Sequence, residues 1–169
     1  ILLSISINAQ NSKDFYNRGI AKYELGDHQG AIDDFNFSIE LDPGFAPAYN
    51  NRGMPLIKLG KFKEAIQDFT KAIELSQNYK EAYYNRGFTR SLSNLHQLAI
   101  IDYTKALSID PDLATYYNRG ISRQEIGDNV GAIEDFTKAI ELNPDFAYAY
   151  NNRGTPKTKL GDHKGAIND

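Results

Sequence analysis

Residues 15–43 read FYNRGIAKYELGDHQGAIDDFNFSIELDP, and residues 116–144 read YYNRGISRQEIGDNVGAIEDFTKAIELNP. Two such similar stretches in one chain imply a period, and the Asn-Arg-Gly shared by both supplies it. The tripeptide begins at Asn17, Asn51, Asn85, Asn118 and Asn152, at spacings of 34, 34, 33 and 34 residues. Five copies in register are not chance. A longer period lies above this one: FAPAYNNRGMPLIKLG and FAYAYNNRGTPKTKLG are 101 residues apart, as are the two stretches first quoted. This spacing points to duplication of a three-repeat block.

Each copy spells two helices. Phe15, Gly19 and Tyr23 mark one face at helical spacing, and Leu25-Gly26-Asp27 then interrupts. Gly26 suits the left-handed residue that closes a helix, and Asp27 suits the cap of the next. Ala31, Ile32, Phe35, Ser38, Ile39 and Leu41 follow at spacings of three or four, until Asp42-Pro43 stops the run. Gly19, Ala31 and Ser38 recur as Gly53, Ala65 and Ala72, small residues that let helices approach. No stretch alternates as a strand does.

A helix–turn–helix of this length, with this Gly, Ala, aromatic and Pro spacing, resembles the tetratricopeptide repeat. The resemblance covers the chain from Ser12 onward. It implies an all-α solenoid, a right-handed superhelix of antiparallel helix pairs. The first helices would line a concave groove for peptides or partner proteins, without catalytic chemistry. The repeats are expected at 12–45, 46–79, 80–112, 113–146 and an incomplete 147–169. The family's clamp for chaperone tails needs Lys and Asn in the first helix, where this chain has Tyr16 and Ile20, and Glu81 stands where a Lys is expected.

Composition agrees with an interaction module. The 169 residues are 41% hydrophobic and 24% charged, with net charge −3 and acids and bases interspersed. No basic stripe for nucleic acid is present, no apolar run is long enough for membrane insertion, and the absence of Cys removes thiolate chemistry. No nucleophile–base pair or phosphate loop stands out, so neither an enzyme nor a cofactor is expected. His28, His96 and His163 fall at separate turns and do not converge as metal ligands must.

Residues 1–11, ILLSISINAQN, precede the first repeat. In the repeat frame Ser4 falls on the small slot of Ser38, and Ile1, Ile5 and Ile7 fall on core positions. This segment therefore reads as the second half of a second helix, completing a neighbour's repeat; a signal-peptide remnant is the rival reading. Subunits would stack head to tail into a structural filament, with copies of the chain as partners. The joint would involve Ile1, Ile5, Ile7, Tyr150, Gly154, Ala166 and Ile167. The alternative is a peptide-binding adaptor within a longer array. A filament suits an extracellular or cell-surface setting, an adaptor the cytoplasm.

Three rows of residues are candidates for function. Asn17, Asn51, Asn85, Asn118 and Asn152 would face the groove by the resemblance, similar to an asparagine ladder that holds an extended peptide. An amide donates and accepts, so it can pair with a peptide unit or with its own neighbours. Tyr16, Tyr84, Tyr117 and Phe88 could line the same groove. Arg18 with Asp34, Arg52 with Asp68, Arg86 with Asp102, Arg119 with Asp135, and Arg153 with Asp169 are each 16 residues apart. That spacing predicts an ion pair joining the two helices of each repeat. Thr70, Thr104 and Thr137 form a row expected to be exposed, and Asn36-Phe37-Ser38 is a glycosylation sequon whose Ser is expected to be buried. Pro55 and Pro156 sit inside first helices, where Pro costs about 3 kcal/mol and a kink is one reading.

Overall fold

The computed structural model describes residues 2–169, with side chains from residue 11 onward. Among the described residues there are ten helices and no strand. They are α1 (Leu2–Glu24), α2 (His28–Leu41), α3 (Ala46–Lys58), α4 (Phe62–Leu75), α5 (Lys80–Leu92), α6 (His96–Ile109), α7 (Leu113–Glu125), α8 (Asn129–Leu142), α9 (Ala147–Lys159) and α10 (His163–Asn168). The chain is an all-α solenoid. It divides into two compact units, the first ending at Thr89 and the second spanning Arg90–Asp169. In the first, α1 packs on α2, α2 on α3 and α3 on α4. In the second, the same succession runs from α6 to α10.

The turn between paired helices repeats because one position requires a left-handed backbone. Gly26, Gly60, Gly127 and Gly161 hold φ between 73° and 84° there. In the third repeat the position is Asn94, with φ 58°, since the short Asn side chain tolerates this region. Asp27, Asp128 and Asp162 then cap α2, α8 and α10, each accepting from a backbone N–H three residues on.

The core is built on a contact between Gly and an aromatic ring. Phe35, Phe69, Tyr103 and Phe136 are buried to 1% exposure or less. A Cβ added at Gly19, Gly53 or Gly120 would lie 2.8, 2.4 or 2.8 Å from the ring of Phe35, Phe69 or Phe136. In these three repeats the Gly of Asn-Arg-Gly thus admits the aromatic of its own second helix. Pro55 and Pro156 are fully buried, and α3 and α9 run through them. The same slot holds Thr89 and Ser122, both at 0% exposure, whereas Ala21 in the first repeat is exposed.

The backbone before the first repeat differs from the sequence expectation. α1 is one helix from Leu2 to Glu24, with no turn between residues 11 and 12. Asp42-Pro43, Asp110-Pro111 and Asn143-Pro144 end second helices elsewhere, whereas Asn8-Ala9-Gln10-Asn11 contains neither Pro nor Gly. Ile1 and the side chains of Ile5 and Ile7 lie outside the described residues. Of the other proposed joint residues, Tyr150 packs beside the Ala139–Ile140–Ala149 cluster, Gly154 lies 3.5 Å (from an added Cβ) from the Ala166 carbonyl, and Ile167 is 84% exposed.

Candidate functional site

Four of the five spaced Arg–Asp pairs are joined as fork-shaped bonds within a unit. Arg18 Nε donates to Asp34 at 2.8 Å, Arg52 Nε to Asp68 at 2.7 Å, Arg119 Nε to Asp135 at 2.9 Å and Arg153 Nε to Asp169 at 2.9 Å. In the third repeat, Asp102 accepts from Arg90 Nη1 at 2.6 Å. Each Arg of the Asn-Arg-Gly row also lies over the aromatic three residues before it, with Arg18 4.8 Å from the Phe15 centroid and Arg119 5.8 Å from that of Tyr116.

Sequence reasoning missed the second base. Lys22, Arg90, Arg123 and Lys157 each reach the Asp twelve residues later. This spacing was legible in four repeats. The second repeat has buried Leu56 in that position, so Asp68 has a base fewer. The consequence is electrostatic. Hydrogen bonds from Arg18 hold Asp34 below the ordinary carboxylate range against burial, with Lys22 helping. Burial pushes Asp68 upward, because Arg52 alone opposes it.

The same guanidinium also reaches the preceding repeat. Arg52 Nη1 donates to Asn36 at 2.6 Å, Arg86 to Thr70 at 3.0 Å, Arg119 to Thr104 at 2.9 Å and Arg153 to Thr137 at 3.0 Å. Of the Thr row, expected to be exposed, Thr104 is exposed and Thr70 and Thr137 are half-buried, and each hydroxyl is engaged by the Arg of the next repeat. The Asn36 sequon is similarly occupied: Ser38 is buried and bonded to Ser12.

The Asn row divides. Asn17 is exposed. In the first unit a directed chain of amide bonds forms: Asn85 donates to Asn50 at 3.0 Å, Asn50 to Asn51 at 3.0 Å, and Asn51 to the Tyr16 hydroxyl at 2.9 Å. In the second, Asn151 donates to Asn152 at 3.3 Å and Asn152 to the Tyr117 hydroxyl at 2.8 Å. Asn118 is half-buried in the same helix as Tyr117. Tyr16 leans edge-on against Phe45 at 5.0 Å and 72°, and Tyr117 against Phe146 at 5.0 Å and 73°. Two near-identical constellations thus stand one in each unit, both on first helices. Burial raises both Tyr hydroxyls, with Asn152 opposing at Tyr117, so both retain their proton. Tyr79, bonded to Asn50, is pushed up to about 12, chiefly by burial. Tyr84 and Phe88 stack at 6.4 Å and 10°. Beside Tyr16 a cavity of about 110 Å³ is lined by Ile20, Tyr23, Phe35, Asn51 and Met54. The three His open α2, α6 and α10, and no group of His, Cys, Asp or Glu among the described residues could hold a metal.

This solenoid of paired helices, with polar amides and Tyr hydroxyls on its first helices, is the architecture of a protein-interaction scaffold. The tetratricopeptide repeat models match residues 46–79, 80–113 and 114–146, and the chain belongs to that family. No curated protein matches the sequence. Among solved structures it is similar to the MamA protein at 25% identity and TM-score 0.88, covering 94% of this chain and 87% of that one. YrrB, "a TPR protein with an unusual peptide-binding site", shares the fold at 20% identity and TM-score 0.84, with coverage of 99% and 87%. The first TPR of Spaghetti (RPAP3), bound to an HSP90 peptide, shares it at 24% identity and TM-score 0.69, with coverage of 70% and 95%. No helix among the described residues is long and apolar enough to cross a membrane.

Proposed function

We propose that this chain is a non-enzymatic peptide-binding scaffold, and that Tyr16 and Tyr117 are the points at which it meets an extended peptide. The repeated Asn-to-Tyr hydrogen bond carries the reading. Each Tyr oxygen accepts from an Asn of the next repeat, which makes its own O–H the donor that ends a polarised amide chain. A peptide carbonyl is the acceptor that such a donor suits. The Asn ladder becomes the support for the hydroxyls in this reading, and Asn17 its one exposed member.

Calorimetric titration with extended peptides tests it. Tyr16→Phe and Tyr117→Phe should each weaken a binding peptide by roughly 3- to 10-fold, about one hydrogen bond. Unchanged affinity of both variants for every binding peptide would overturn the assignment.

Head-to-tail assembly into a filament is the second reading. It is supported by the match of residues 1–11 to second-helix positions and by exposed Ile167 beside the end of the array. It requires α1 to break near Asn8 when copies meet. Deleting residues 1–11, or changing Ile5 and Ile7 to Asp, should then shorten the particles seen by negative stain; equally long fibres would exclude that joint.

A further inference from the structure

The second repeat lacks a cation that the other four carry. Lys22, Arg90, Arg123 and Lys157 reach the Asp twelve residues later at 2.9, 2.6, 3.0 and 2.8 Å, and Leu56 stands in their place before Asp68. In the first, fourth and fifth repeats this base makes two bonds. It reaches the carboxylate oxygen that the first Arg holds through Nε. It also donates to the carbonyl of Gly30, Gly131 or Gly165, at 3.4, 3.0 or 3.2 Å. Both acceptors persist in the second repeat. Among the described residues, Asp68 Oδ2 accepts from Arg52 Nε alone, at 2.7 Å, and the counterpart of the Gly carbonyl belongs to Glu64. A carboxylate oxygen has two lone pairs, so Oδ2 can take a second donor.

The room for that donor exists. A cavity of about 290 Å³ is bounded by Ile32 and Asn36 of α2, Arg52 and Leu56 of α3, and Glu64 and Asp68 of α4. A cavity of about 150 Å³ holds a benzene ring, so this one holds an aliphatic stem with a charged head. Its walls are of two kinds. Ile32 and Leu56 are aliphatic and buried, whereas Asp68 and Glu64 are two acids against one base, Arg52. Glu64 is peculiar to this repeat: Gly30, Leu98, Gly131 and Gly165 stand at its position. The repeat that drops the cation thus adds a carboxylate beside the same Asp. Burial, with Glu64 adding to it, holds Asp68 above the ordinary carboxylate range, whereas hydrogen bonds from Arg18 and Lys22 hold Asp34 below it.

We infer that this cavity receives the Lys or Arg side chain of a partner protein, whose charged head bonds Asp68 and Glu64 while its methylenes lie along Ile32 and Leu56. The occupant is read from the chain itself. Two Lys and two Arg fill this slot in the other repeats, and the ligand supplies from outside what they supply from within. A bare inorganic cation would leave the aliphatic walls uncovered, and a neutral or acidic side chain would leave the carboxylates without a counter-charge. A protein is the source because Gln67, exposed at the rim, offers its amide to the peptide units that flank such a side chain. None of the lining residues lies on α1, so the site stands apart from Tyr16 and does not rest on the peptide assignment made there.

Titration of the full chain with the peptide acetyl-Gly-Ser-Arg-Ser-Gly-amide, followed by carbon-detected NMR, tests this. The Leu56 methyl and Asp68 carboxyl signals should shift and saturate. The citrulline version of the peptide, alike in shape but uncharged, should bind roughly 10-fold more weakly or worse. Butylguanidinium, which has the head and stem without the peptide units, should bind about 3-fold more weakly. Glu64→Gln, at an exposed position, should weaken the Arg peptide by about 3-fold. Leu56→Lys gives this repeat the base of the first and fifth. It should abolish the shift and bring the Asp68 titration to the side of Asp34, with the helical signal kept. No shift with the Arg peptide overturns the proposal, as does equal binding of the citrulline peptide or undiminished binding to Leu56→Lys. Butylguanidinium binding as tightly as the peptide would assign the site to a free cation and overturn the protein partner.

Discussion

At the scale of single residues, the Asn-Arg-Gly tripeptide does three separate jobs. Gly19, Gly53 and Gly120 each admit a ring, Arg52, Arg119 and Arg153 each tie three elements together, and Asn51 and Asn152 each reach a Tyr one repeat back. Gly53→Ala should destabilise by about 1–3 kcal/mol, because the Phe69 ring 2.4 Å from the new Cβ is fully buried and has nowhere to move. An unchanged thermal midpoint would contradict the packing. Arg119→Leu should cost about 1–3 kcal/mol: Asp135 stays buried at 2% side-chain exposure and keeps only Arg123. Asp34 and Asp68 should titrate on opposite sides of the ordinary carboxylate value, Asp34 below and Asp68 above, in a carbon-detected NMR titration. Since the folded pKa of Asp34 is depressed, its stabilisation is whole above the unfolded pKa and fades as pH falls through the folded one. Asp34→Asn should therefore flatten the acid limb of the stability profile.

Among the elements, the turns and the two proline-bearing helices carry the informative departures. Asn94 holds φ 58° where four repeats have Gly. Asn94→Gly should raise stability by up to about 1 kcal/mol, and Asn94→Val should lower it by more than that, by chemical denaturation. Pro55 removes one α3 hydrogen bond in a slot that Ser122 fills without loss in α7. Pro55→Ser should raise the thermal midpoint, by about 1–3 kcal/mol in stability; a lower midpoint would show that ring packing outweighs the missing bond. α10 has six residues and buries none of them, so its amides should exchange fastest with solvent.

For the whole molecule, stability should follow a repeat array, with each repeat resting on its neighbours. The Arg-to-Thr and Arg-to-Asn36 bonds are the polar part of that coupling within each unit. The Asn-to-Tyr bonds link the first helices of adjacent repeats.

The sequence by itself determined the period, the helix pairs, the left-handed turn and the joining of the first and second helices by Arg and Asp. These follow from interactions within one repeat, where a spacing of 16 residues crosses a single turn. Only the tertiary structure decided what lies across repeats. Asn51 and Tyr16 are 35 residues apart, one repeat plus one position, and meet because α1 and α3 pack side by side. The Thr row was legible as a row but not as the acceptor of the next repeat's Arg, for the same reason. The run of α1 through residues 8–11 was decided by the helix-forming backbone there, without the Pro that ends three later second helices. Spacing within a repeat fixes what a short chain can reach, and the docking of neighbouring repeats fixes the rest.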